Sequence, residues 1–102
     1  AQPVGIRSFA FKKALKAVGW MIRKSPNAFI DLTKSFLDDA AETALRRSSG
    51  QIADAIDDVA GLPDLAGHIV REKLFYALEG SLGGGTAKVI ADSVEWAMWA
   101  LL

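Results

Sequence analysis

The chain has no cysteine and one histidine in 102 residues. Disulfides, thiolate chemistry and cysteine-ligated metal are excluded, and a small core must hold by packing alone. Long apolar runs are missing too. No uninterrupted stretch approaches the ~18–20 residues that a membrane-spanning helix needs, and the most apolar uncharged segment is the tail Trp96–Leu102. Nowhere do apolar and polar residues alternate with period two for long, so no strand is expected. The first 24 residues lack any acid. The sequence opens on Ala1 rather than methionine and reads as a processed or trimmed product without a signal peptide.

What is present is apolar and helical. Hydrophobic residues make up 51% of the chain, and mean hydropathy is +0.21, a composition for one folded domain over residues 1–102. Net charge is formally zero, but Arg7, Lys12, Lys13, Lys16, Arg23 and Lys24 put +6 on residues 1–24 and leave −6 on the remainder. Such segregation suits an N-terminal part that meets an anionic surface or packs near the acidic remainder.

The periodicity predicts an all-α, compact bundle of about five short helices. The first runs from about Ile6 to Lys24, with Phe11, Leu15, Val18 and Ile22 inward. Ser25-Pro26 ends it and starts a second, to about Arg47, whose inner stripe is Phe29, Thr33, Phe36, Leu37, Ala40 and Ala44. Ser48 and Gln51 read as a capping box before a short third helix, with Ile52, Ile56, Val59 and Ala60 inward and Gly61 as a left-handed cap. Leu62-Pro63-Asp64 opens a fourth helix to about Glu79, with a broad apolar face (Leu65, Ile69, Val70, Leu74, Ala77, Leu78) and hence a central place. Gly80–Gly85 is a break. Thr86 caps a fifth helix with Ile90, Val94, Ala97 and Leu101 inward. Short connections should pack consecutive helices together.

Catalytic constellations are not found. His68 with Asp64 and Glu72 at four-residue spacing is an unspecific ligand set and reads as a surface or boundary histidine. Asp54, Asp57 and Asp58 lack calcium-loop spacing and read as a solvated acidic face. The run Gly80–Lys88 fails the phosphate-loop pattern, because Thr86 stands where lysine is needed; its glycines serve a tight turn or a hinge. No catalytic residue, metal or cofactor is expected, and the chain reads as a non-enzyme.

The aromatics are the informative feature. On the first helix, Phe9 and Trp20 stand three turns apart among Lys12, Lys13, Lys16, Arg23 and Lys24, opposite the inner stripe. Cations attract anionic headgroups, and indole favours the headgroup boundary, so this face suits an anionic membrane. Trp96 and Trp99 also fall off their helix's inner stripe. Each of the three indoles either faces outward or is covered by a neighbouring helix.

Lys12-Lys13 to Lys24 with Trp20, the Gly83-Gly84-Gly85 break and the apolar tail Trp96–Leu102 make the chain resemble the saposin-like bacteriocins, including the circular ones. The resemblance implies a secreted antimicrobial that binds and permeabilises bacterial membranes without a cofactor. A ring joining Leu102 to Ala1 would remove two terminal charges; intact mass spectrometry then reads one water less than the linear mass. The competing reading is a helical protein-interaction module, an immunity protein or adaptor, with Trp96 and Trp99 anchoring a protein partner. Nucleic-acid binding through the first helix is a weaker third reading, because the acidic remainder repels phosphate; no nucleic-acid partner is expected.

Overall fold

The structure, a computed structural model, describes residues 3–63 and 65–102, with side chains from residue 9 onward. Ala1, and with it the question of a closed ring, lies outside the described residues. Among those residues the secondary structure is entirely helical. Six α-helices follow one another: α1 (Pro3–Lys24), α2 (Pro26–Leu32), α3 (Asp39–Arg47), α4 (Ser49–Ala60), α5 (Gly67–Leu82) and α6 (Gly84–Leu101), with a 3-10 turn at Lys34–Phe36. They pack into a body of 44 × 25 × 21 Å.

The sixth helix comes from a break inside the expected second one. Thr33 closes α2 on itself: its backbone N–H and its hydroxyl both donate to the Phe29 carbonyl, at 3.0 and 2.8 Å. Leu37 is extended, and the Asp38 carboxylate accepts from the Ala41 N–H at 2.8 Å, which starts α3 afresh. Asp39 and Glu42 in the first turn and Arg46 and Arg47 in the last match its dipole. The break resets the helical phase. Phe29 and Thr33 stay buried as expected, but Phe36 and Ala40 are exposed, Leu37 and Ala44 are only half-buried, and Ile30, Ala41 and Leu45 enter the core instead.

Four other boundaries differ. Gly61 is right-handed at φ −80° and its N–H bonds to Asp57 and Asp58 carbonyls, so no left-handed cap forms. Ser48 makes no side-chain cap; Gln51 instead donates to the Ser81 hydroxyl on α5 at 2.6 Å. The opening of α5 is at Gly67, after the Leu62–Ala66 connection, in which Asp64 lies outside the described residues. At its other end α5 runs through Gly80 to Leu82, and the expected six-residue break shrinks to Gly83, whose φ of +87° only glycine adopts easily. Thr86 is therefore inside α6, not its cap.

One continuous core results. α1 contributes Phe11, Ala14, Leu15, Val18 and Ile22; α4 contributes Ile52, Ile56, Val59 and Ala60. The buried stripe of α5 is narrower than expected (Val70, Leu74, Leu78, below Leu65), because Ile69 is half-buried and Ala77 exposed. The widest buried face belongs to α6, with Ala87, Ile90, Ala91, Ser93, Val94, Ala97 and Met98, while Leu101 lies outside it. Packing is not simply sequential: α1 lies mainly along α4 and also meets α6 and α2, and α5 pairs with α6. Buried Ser93 is satisfied by the Ile90 carbonyl at 2.8 Å.

Three substitutions check the boundaries. Asp38→Ala removes the α3 cap and should cost about 1 kcal/mol. Gly80→Ala, where an added methyl meets nothing within 4 Å, should stabilise by roughly 0.5–1 kcal/mol, whereas Gly83→Ala should destabilise by a similar amount. Urea unfolding midpoints read all three.

Candidate membrane-contact face

The 22 residues of α1 make a rod of roughly 33 Å. Its inner stripe is so consistently apolar that rotation about its axis is settled, and the opposite arc must face water. Phe9 and Trp20 stand on that arc, 63% and 65% exposed. The Lys13 ammonium lies 5.6 Å from the centre of the Phe9 ring, a cation–π contact between neighbouring turns. Trp20 is the residue whose orientation matters most, and no neighbouring helix encloses it.

The cations around these rings fall into two groups. Toward α4, Lys12 donates to the Leu62 carbonyl at 2.7 Å, and Arg23 bonds Asp54 at 2.8 Å and Asp57 at 3.2 Å. The hydrogen bond that Arg23 donates to Asp54 is the main reason its guanidinium pKa is pushed above the ordinary value. Helix approach is close here: a methyl on Gly19 would meet Ile56 Cγ2 at 3.2 Å and Asp57 Oδ1 at 3.3 Å. Lys16, Trp20, Arg23 and Asp57 line an open hollow of about 450 Å³ beside this seam. By contrast, Lys13, Lys16 and Lys24 make no ion pair or side-chain hydrogen bond among the described residues. Of the five cations that the sequence places around Phe9 and Trp20, three are thus without an ion pair among the described residues, and Arg23 is paired with the chain's own acids.

Trp96 and Trp99 belong to a second cluster, formed by α6 with the 3-10 turn and α5. They are 40% and 49% exposed, so each is partly covered. Trp96 meets Phe36 at a tilt of 45° with ring centres 5.3 Å apart, and Trp99 meets Phe11 edge-on at 4.9 Å. The Trp99 indole N–H donates to Glu95 at 3.3 Å. Here the charges compensate one another: Arg71 pairs with Glu95 at 3.2 Å and with Asp92 at 3.9 Å, and Lys88 pairs with Asp92 at 3.2 Å. Sequence periodicity misplaced Phe36, and it passed over Tyr76, which is exposed beside Phe75 over a shallow cleft of about 300 Å³.

The remaining motifs have structural roles. Asp54, Asp57 and Asp58 are all exposed, as a solvated acidic face should be, and the first two also pair with Arg23, while Lys88 of the glycine-rich run points to Asp92 from within α6. His68 and Glu72 are exposed, and Asp64 lies outside the described residues. Among the described residues no three metal-ligating side chains gather, and no helix is long and apolar enough to cross a membrane.

A family model described as "Uncharacterised protein YqxI" matches residues 3–100. No curated protein and no solved structure matches the chain.

Gly67 explains how Trp99 is held. A methyl there would stand 2.7 Å from Glu95 Oε2 and 2.9 Å from Trp99 Nε1. Gly67→Ala should therefore break the indole–carboxylate bond, at a cost of about 1 kcal/mol. It should also red-shift Trp99 emission in a chain carrying Trp20→Phe and Trp96→Phe; unchanged emission would contradict this geometry.

Proposed function

The chain belongs to the YqxI family, and we propose that it is a secreted, bacteriocin-like antimicrobial that binds anionic bacterial membranes through α1 and permeabilises them. One observation carries the reading: Trp20 faces outward on an arc where Lys13, Lys16 and Lys24 have no acidic partner among the described residues. An exposed indole has a preferred destination at the headgroup boundary, and three uncompensated ammonium groups add attraction to anionic lipid of about 1 kcal/mol each. Because no described helix is long and apolar enough to cross a membrane, binding begins in the interface plane. Permeabilisation then requires the bundle to loosen, so that its inner leucines and phenylalanines enter lipid. The all-helical, cysteine-free build agrees with a saposin-like bacteriocin, which remains part of this proposal.

The compensated charges around Trp96 and Trp99 favour a second reading for that cluster, as a protein-interaction surface. Aromatic anchors inside a rim of mutually paired charges suit a protein partner better than an anionic bilayer.

The triple variant Lys13→Gln, Lys16→Gln, Lys24→Gln should bind phosphatidylglycerol vesicles about 100-fold more weakly at low salt, the equivalent of about 3 kcal/mol. Trp20→Phe should remove most of the blue shift in tryptophan emission seen on binding. Binding and dye leakage by the native chain should both fall as salt rises. A native chain that neither binds nor releases dye at any salt would refute the proposal and leave the interaction module as the better reading.

A further inference from the structure

The second aromatic cluster extends beyond its two tryptophans. The hollow beside Trp96 and Trp99, about 650 Å³, and the cleft beside Tyr76, about 300 Å³, share Arg71, Lys88 and Asp92 in their linings. Together they are one surface, the outward side of the α5–α6 hairpin, joined by Phe36 of the 3-10 turn. No residue of α1 lines either hollow, so this face is separate from the basic arc. Phe36, Tyr76, Trp96 and Trp99 are 39%, 62%, 40% and 49% exposed, which leaves roughly 400 Å² of ring surface in water if each side chain offers about 200–250 Å². A stable interface takes about 800 Å² from each partner, a little over half of it apolar. Four rings on one face thus supply most of the apolar share.

The charges say what can cover it. Both signs line the face in near balance, Arg71 and Lys88 against Glu72, Asp92 and Glu95. An anionic partner is opposed by the acids and a cationic one by the bases, whereas a surface of the same mixed kind is accepted. We propose that the α5–α6 face binds a second copy of this chain through a two-fold contact. This rests on the protein-surface reading of the cluster, not on the membrane reading, and names the partner. Contacts fix which residues lie level across the hairpin: Arg71 pairs with Glu95 at 3.2 Å, and a methyl on Gly67 would touch Trp99. The same register puts Tyr76 near the level of Lys88, and both line the cleft. A two-fold axis parallel to the helices keeps these levels and lays α5 of one copy over α6 of the other. Arg71 then faces Asp92 and Glu95, the Tyr76 ring faces the Lys88 ammonium, and each contact is made twice. Trp99 lies over Gly67, between the two helices, where the rings of both copies meet near the axis. The ion pairs within one copy are exposed and contribute little, so exchanging them between copies costs little.

Sedimentation velocity between about 1 µM and about 1 mM spans the affinities expected of such an interface. The average mass should rise from 10.9 kDa toward twice that value and stop there. Tyr76→Lys should weaken the dimer about tenfold or more, as loss of an aromatic anchor does, and Tyr76→Phe by less than about threefold. Asp58→Lys, on exposed surface of α4, should change nothing. Should Tyr76→Lys lose helicity, Lys88→Glu takes its place with the same loss expected, since its side chain is 70% exposed. A mass fixed at one copy throughout, association that continues past two copies, or a dimer indifferent to both variants overturns the proposal. Photo-crosslinking from p-benzoylphenylalanine at position 76 separates this from the reading it rests on. The pure chain should give an adduct of twice its mass. An adduct only with a different protein, in an extract of the native host, excludes the second copy and keeps the protein surface; no adduct in either sample ends both.

Discussion

The seam between α1 and α4 is the constraint on which the arrangement of the surface depends. Gly19 lets the two helices approach until the Ile56 side chain nearly touches the α1 backbone. Arg23 on Asp54 and Asp57, and Lys12 on the Leu62 carbonyl, hold that approach at two points eleven residues apart in α1. Exposed ion pairs of this kind contribute little stability by themselves. Their effect is on geometry: with Phe11, Leu15, Val18 and Ile22 buried, they define which side of α1 lies along α4. Since one residue turns a helix by about 100°, a slip by a single position would carry Trp20 toward the seam and a core residue toward water. The outward indole is thus a consequence of the apolar stripe and of a glycine that admits α4.

Elements with long, unbroken periodicity were legible. The inner stripes of α1 and α4 were read correctly residue by residue, because each runs several turns with one face apolar and the other charged. The segment 26–47 was not, for a local reason. Thr33 and Asp38 both carry side chains that bond to nearby backbone, and such residues offer the chain an alternative to continuing a helix. The signal was present in Asp38 with Asp39, Glu42, Arg46 and Arg47 arranged as a capped helix with its dipole matched, but the apolar residues 29–44 tolerate a continuous helical phase and masked it. At 80–85 the opposite error arose. Four glycines in six residues suggest a long break, yet glycine is tolerated in helices at modest cost, and only Gly83 takes a backbone conformation that requires it.

The candidate face divides in the same way. That Phe9 and Trp20 stand opposite the inner stripe follows from helical spacing within one element. Which cations remain available does not, because the partners of Arg23 and Lys12 are 31, 34 and 50 residues away. A run of basic residues reads as one uniform patch in sequence; tertiary contact engages Lys12 and Arg23 and leaves Lys13, Lys16 and Lys24 without an ion pair among the described residues. Trp96 and Trp99 show the same limit, since Phe36 and Phe11 reach them from distant parts of the chain.

Formal neutrality would count against a membrane-active protein if charge acted as a whole-molecule property. It does so only at long range. Beyond a Debye length of about 8–10 Å, a neutral molecule feels little net pull toward an anionic surface, so electrostatic steering should contribute little to its approach. Within that distance the local arrangement dominates, and six of the twelve cations are concentrated in residues 1–24, apart from all twelve acids. Self-pairing sharpens the contrast rather than erasing it, because Asp54 and Asp57 are occupied by Arg23 while Lys13, Lys16 and Lys24 have no ion pair among the described residues. On the membrane reading, selectivity for anionic lipid then belongs to the contact step and to the outward face of one helix. Adding cations elsewhere on the molecule would raise the encounter rate without improving the fit of that face.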